Sequence, residues 1–274
     1  MEPKKPSFFV IGGMKCGTTS LHHYLGLHPE LSMSRDKEID FFSKDEVFAE
    51  GSDQYLQNFR AEEGTRGETS VSYSMGHSYP KTASRIREYS DPGTKFIYLM
   101  RDPIERIVSH YAHNRSAGRY KKGLNEYVSG LNSNDHVVLT SSYFLQLEFY
   151  LRYFDLTDFL FLTSENLKNN RVETLSGVFA FLGVNPSFTS EEFRREKHQS
   201  GKKRIYNAWG RFAGRLPLIW RFRDDLPFTG AKMTREPLSP DNTEKLRSLL
   251  SADVDKLKKL TGLTFTDWKT YHDG

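Results

Sequence analysis

The residues Phe8-Phe9-Val10-Ile11-Gly12-Gly13-Met14-Lys15-Cys16-Gly17-Thr18-Thr19-Ser20-Leu21 decide the architecture of this chain. Four large apolar residues in a row, Phe8 to Ile11, predict a strand buried on both faces, and the glycines after them predict a tight turn. From Thr18 to Leu27 the residues Leu21, Tyr24, Leu25 and Leu27 recur at helical spacing until His28-Pro29 stops the pattern. The chain therefore begins as strand, glycine turn and helix. At such a turn the first backbone N–H groups lack intrahelical partners, and the helix dipole places about half a positive charge there. Gly12 to Ser20 reads as an anion cradle with Lys15 as a mobile charge, and an ordinary tight turn is the competing reading. A nucleoside triphosphatase loop has lysine directly after its last glycine, whereas Thr18 follows Gly17 here and Lys15 lies two residues before it. A phosphate bound at this loop is held differently from ATP on magnesium.

The alternation continues downstream. Lys95 to Met100 predicts a second buried strand, and in Arg101-Asp102-Pro103 the aspartate can cap a helix that starts at Pro103. Ile104, Ile107, Val108 and Tyr111 form that helix's core face. Ser142 to Phe154 predicts an aromatic-rich helix, Phe159 to Thr163 a short strand, and Leu175 to Leu182 a helix ended by Gly183. Residues 239–262 predict an amphipathic C-terminal helix. Strands alternating with helices imply an α/β fold, a central parallel sheet of P-loop type with helices on both faces. No repeat and no linker divides the first 190 residues, so 1–274 reads as one domain. Residues 194–237 are basic, rich in Trp and Pro and weakly periodic, which predicts a lid over the ligands.

Composition narrows the classes. The 274 residues carry 39 Lys and Arg against 35 Asp and Glu, a net charge of +4 that is too mild to argue for nucleic acid. The single cysteine, Cys16, excludes a disulfide framework and a multi-cysteine zinc site. No apolar run approaches the ~18 residues of a membrane span, and the run Phe8 to Ile11 is too short for a signal-peptide core. A soluble, cytoplasmic protein without an integral membrane segment is expected.

A second anion-binding element lies where Arg101 leaves the carboxyl end of a strand, the edge at which open α/β sheets bind ligands. Beyond it Arg106, Ser109 and His113 fall at i, i+3 and i+7, a polar stripe whose competing reading is a solvated helix face. With both elements in view, the chain resembles sulfotransferases that use 3′-phosphoadenosine-5′-phosphosulfate (PAPS), and it is most similar to bacterial relatives of the heparan sulfate and carbohydrate sulfotransferases. Lys15-Cys16-Gly17-Thr18-Thr19-Ser20 resembles the family's 5′-phosphosulfate loop, and Arg101 with Ser109 resembles the pair that holds the 3′-phosphate. Lys37-Glu38-Ile39-Asp40-Phe41-Phe42 resembles the Glu-x-x-Phe-Phe segment whose glutamate is the catalytic base in heparan-type enzymes. Gly67 to Tyr73 is similar to the acceptor-side segment, with Thr69 in place of a usual lysine and Val71 in place of a usual proline. His198 to Arg204 resembles the late loop that closes over the 3′-phosphate.

The resemblance implies PAPS as donor, 3′-phosphoadenosine-5′-phosphate (PAP) as product and no metal. The cofactor site implied is Lys15, Cys16, Gly17, Thr18, Thr19, Ser20, Arg101, Ser109, Ser200, Gly201, Lys202, Lys203 and Arg204. Lys15, Glu38 and His113 are the expected catalytic groups, and Glu38, Ser70, Tyr73 and His110 the expected acceptor contacts. A surface carboxylate is the competing reading of Glu38, and a polar helix-face residue that of His113. Tyr73, Tyr79 and Tyr143 can line a cleft or pack in the core. The expected acceptor is a hydroxyl on a carbohydrate, a lipid or another small molecule. The rival readings are a P-loop kinase of small molecules and a polyanion-binding module using residues 194–223.

Overall fold

The computed structural model describes residues 5–59, 64–194, 204–206, 230–232 and 236–271. The chain runs β1 (Phe8–Gly12), α1 (Thr18–Leu25) and β2 (Leu31–Met33), then two short helices, α2 (Asp45–Phe48) and α3 (Ser52–Leu56). Next come β3 (Thr65–Thr69), α4 (Thr82–Tyr89), β4 (Lys95–Met100) and α5 (Pro103–Ser116). Three helices follow, α6 (Leu124–Ser129), α7 (His136–Leu139) and α8 (Tyr143–Tyr150), before β5 (Phe159–Thr163), α9 (Ser164–Asn169) and α10 (Arg171–Leu182). A short antiparallel pair, β6 (Arg204–Tyr206) with β7 (Gly230–Lys232), precedes α11 (Pro240–Thr261).

β1 to β5 form one parallel sheet in the order β2-β3-β1-β4-β5. Val10 lies opposite Thr69 and Gly12 opposite Leu99, so β1, β3 and β4 end at nearly the same level. From β1 the chain crosses toward β2 and β3, whereas from β4 it crosses toward β5. The crevice between β1 and β4 is therefore the switch point where such sheets take ligands. Phe8 to Ile11 and Phe96 to Met100 are all within 1% of fully buried, as the apolar runs predicted. α11 turns Leu246, Leu250, Val254 and Leu257, each 0% exposed, onto the rest of the fold. Among the described residues no helix is long and apolar enough to cross a membrane.

β2 and β3 are the two strands of the parallel sheet that the sequence did not announce. β3 is Thr-Arg-Gly-Glu-Thr, with no apolar run, yet Arg66 to Thr69 are buried beside β1. At Gly67 an added Cβ would lie 2.0 Å from the Phe8 ring, so the missing side chain is what admits that ring. Glu68, 0% exposed, accepts from the Tyr55 hydroxyl at 2.6 Å and the Ser70 hydroxyl at 2.7 Å. Those bonds make a buried carboxyl tolerable inside a sheet. Burial still pushes it up to about 7. Most of the expected lid over 194–237 lies outside the described residues.

Asp102 joins the switch point to the end of the chain. One carboxylate oxygen accepts from the N–H groups of Ile104 and Glu105, capping α5, with Pro103 in the first turn as predicted. Its other oxygen accepts from Thr270 N, Thr270 Oγ1 and Tyr271 N at 2.8, 2.6 and 3.1 Å. Asp102→Ala leaves five donors unanswered, and urea unfolding should show a loss of about 3 kcal/mol. Glu68 predicts a pH effect. Its protonated form stabilises the fold below the ordinary range near 4.5, and that contribution is lost as pH rises to about 7. Between pH 4.5 and 7 the wild-type free energy of urea unfolding should fall relative to that of Glu68→Gln, by on the order of 3 kcal/mol in all. Parallel profiles for the two proteins would contradict this.

Candidate active site

The turn after β1 is built to leave donors open. Gly17 is the N-cap of α1 at φ 98°, where a side chain would be strained, and no side chain caps the helix. The first turn of α1 contains no acidic residue. Among the described residues its first N–H groups therefore have no side-chain acceptor, which suits an incoming anion. Lys15 takes φ 80°, and Cys16 N donates to Gly13 O at 3.0 Å to close the turn. Gly17 and Thr19 are exposed, Lys15 and Ser20 half-buried, and Thr18 buried. One expectation changes here. The Cys16 thiol turns into the core at 0% exposure, 3.7 Å from the Tyr143 hydroxyl, and burial pushes it up to about 11. Cys16 can serve the loop only through its backbone position.

Arg101 ties the start of the α5 segment to the turn after β1. Its Nη1 donates to the carbonyl of Lys15 at 3.4 Å, and its Nη2 to Glu105 at 2.9 Å. The stripe on α5 is not a solvated face. Arg106 is 0% and Ser109 5% exposed, and only His113 is half-buried. His110 is 6% exposed, its Nδ1 is buried without a hydrogen-bond partner, and burial followed by the charge of Arg106 pulls it down to about 3. It is a neutral imidazole.

Glu38 sits on the end of β3. Its N–H donates to Thr69 O at 2.9 Å, and its carboxylate accepts from Val71 N at 2.7 Å and pairs with Lys37. Those bonds hold Glu38 at φ 64° with its side chain 34% exposed, which leaves it able to meet a substrate. Two expected acceptor contacts do not reach that surface. Tyr73 is 0% exposed, its hydroxyl accepting from Phe42 N at 3.2 Å, and Ser70 is 0% exposed between Glu68 and the N–H of Asp40. Both are structural supports of the Glu38 loop. Tyr143 likewise packs in the core at 0% exposure.

Two residues beside Glu38 carried little weight in the sequence. His22 Nδ1 lies 3.0 Å from Thr69 Oγ1, and burial together with the Lys37 charge pulls the imidazole down to about 4. Lys37 is itself mostly buried and is drawn down to about 8 by that burial. Its adjacency to Glu38 was visible in the sequence, but the approach of His22 was not. Ser200, Gly201, Lys202 and Lys203 lie outside the described residues. Arg204 opens β6.

Comparison with known proteins supplies the identity. Residues 5–205 match the profile of the sulfotransferase domain. The bifunctional heparan sulfate N-deacetylase/N-sulfotransferase 4 of Mus musculus is 26% identical over 215 residues, which cover 68% of this chain and 23% of that protein. The chain spans about a quarter of the length of such relatives. Among solved structures, a sulfotransferase from Alicyclobacillus acidocaldarius superposes with a TM-score of 0.70 at 23% identity, covering 97% of this chain and 99% of that one. Mouse sulfotransferase SULT7A1 complexed with PAP superposes with a TM-score of 0.54 at 15% identity, covering 94% and 89%. The profile match runs through the β1–α1 loop, Glu38, β3 and the Arg101 helix, well over half of the chain, and this protein belongs to the sulfotransferase domain family.

Proposed function

We propose that this protein transfers the sulfuryl group of PAPS to a hydroxyl on a carbohydrate, lipid or other small-molecule acceptor. The observation that carries the proposal is the bond from Arg101 to the carbonyl of Lys15, which unites an uncapped helix start and a strand-end guanidinium at the sheet's switch point. The donor set suits a doubly phosphorylated nucleotide: backbone N–H groups, an ammonium and a guanidinium, with no carboxylate in the first turn of α1. PAPS supplies a sulfuryl group on a phosphate leaving group. Lys15 and the α1 N–H groups hold that phosphate and stabilise the charge that grows on it. Arg101, released from Glu105, and Ser109 hold the 3′-phosphate.

Glu38 takes the acceptor proton. Its bond from Val71 N fixes one carboxylate oxygen, and Lys37 pairs with the other, so the carboxylate is held in place for a proton to reach it. His113, half-buried on α5, is placed second to it. The name of the mouse heparan sulfate relative supports a sugar acceptor, while Thr69 leaves Lys37 as the cation beside Glu38. A cytoplasmic location belongs to the same proposal, supported by a single cysteine that is free and buried.

Transfer from radiolabelled PAPS to a panel of sugars, phenols and glycolipids tests the activity. Lys15→Ala and Arg101→Ala should abolish transfer while leaving the thermal unfolding midpoint near that of wild type. Glu38→Gln should lower turnover by about 10²- to 10⁴-fold with PAP binding intact. Full turnover in the Glu38→Gln protein would remove Glu38 from the role of base.

A further inference from the structure

Arg106 is a buried cation without a buried anion. It is 0% exposed, and all four of its hydrogen bonds go to neutral acceptors. Nε donates to Ser141 Oγ at 2.6 Å, Nη1 to the carbonyl of Met14 at 3.2 Å, and Nη2 to Val137 O and Thr140 Oγ1 at 2.7 and 2.8 Å. No carboxylate pairs with it among the described residues. The acids nearby in the chain are engaged elsewhere, Glu105 on Arg101 and Asp102 on five donors of α5 and the 270–271 segment. Other ionisable groups facing it, Tyr143, Cys16 and Tyr127, are all kept neutral by burial. An isolated buried charge is costly unless something pairs with it.

Its position shows what that partner is. The guanidinium grips the carbonyl of Met14, one residue before Lys15, inside the loop that precedes the uncapped start of α1. The same side chain passes Gly13, where an added Cβ would come within 3.5 Å of Arg106 Cδ. Arg106 also joins this loop to the end of α7 and the turn after it, through Val137, Thr140 and Ser141. The planar fork that makes these four bonds is peculiar to arginine.

We propose that Arg106 is a positioning residue for the cofactor: it holds the phosphate loop by the Met14 carbonyl and contributes a buried positive charge that the bound nucleotide's phosphates neutralise. This rests on the assignment of PAPS and PAP to the loop. The two contributions are separable, because lysine keeps the charge but cannot reproduce the fork, whereas glutamine keeps neither.

Calorimetric titration with PAP at 50 and 300 mM NaCl, alongside acceptor kinetics, tests it. Arg106→Gln should weaken PAP binding by about tenfold or more and flatten its salt dependence, leaving the acceptor KM near wild type. Arg106→Lys should weaken PAP binding severalfold while keeping the wild-type salt dependence. Wild-type affinity and salt dependence in Arg106→Gln would overturn the charge contribution, and wild-type affinity in Arg106→Lys would overturn the grip on the loop. If Arg106→Gln does not fold, Arg106→Lys decides alone, and wild-type affinity in it overturns the proposal. Absence of PAP binding in the wild-type protein itself would instead bring down the cofactor assignment, and this inference with it.

Discussion

The hydroxyl of Tyr143 closes the carboxyl edge of the sheet. It accepts from the N–H of Arg101 at 3.2 Å, donates to the carbonyl of Arg101 at 2.8 Å, and lies 3.7 Å from the Cys16 sulfur. A chain leaving the end of a strand has backbone groups with no ladder partner, and burying them unpaired is costly. One phenol answers both groups of Arg101, and Asp102 then answers the start of α5. The chain can therefore turn sharply after β4 and keep Arg101 against the Lys15 carbonyl. Without that turn the two anion-binding elements would be separate features.

Backbone strain marks the same edge. Lys15, Glu38 and Asp40 are three of the four non-glycine residues with positive φ among those described. Such a conformation costs of order 1–3 kcal/mol per residue and persists only where surrounding bonds impose it. Glu38 is imposed upon from both sides, by Thr69 O on its N–H and Val71 N on its carboxylate. Asp40 is held by the hydroxyl of Ser72, the hydroxyl of Ser70 on its own N–H, and Lys44. Beneath them lies the buried Glu68 with Tyr55 and Ser70. The polar core of β3 is thus the support on which the proposed base stands.

Electrostatics at this edge is lopsided although the whole chain carries only +4. Lys15, Lys37, Arg101 and Arg106 collect around the ends of β1, β3 and β4, and two of the carboxylates there, Glu38 and Glu105, each face one of those cations. His22 and His110 answer the same surplus by staying neutral, since burial and an adjacent cation both oppose a proton. A site of this kind attracts a multiply charged anion by its arrangement, with little help from net charge.

The elements read most directly from the sequence are those whose signals are local. Phe8 to Ile11 and Phe96 to Met100 are buried apolar runs, Phe159 to Thr163 is an apolar run that is half-buried in its middle, Asp102-Pro103 is a cap, and Gly183 ends α10 in the left-handed region. The turn after β1 and the place of Arg101 at the end of β4 were legible because glycines mark the one and an apolar run ending in arginine marks the other. β3 was not legible as a strand, because its residues are polar and their burial depends on Tyr55 and the Phe8 ring, which are remote in sequence. Tyr73 and Ser70 were misplaced at the acceptor for the same reason: a motif names residues that sit together but not which of them face inward. The sequence by itself determined the α/β alternation and the glycine turn after β1, since short-range spacing and chain stiffness carry that information, whereas Glu38 was named only through a resemblance. Only the tertiary structure decided that Arg106 is a buried cation, that Cys16 belongs to the core and that His22 meets Thr69 at the end of β3 where Glu38 is held. Burial and pairing depend on which distant segments meet, and no local pattern encodes that.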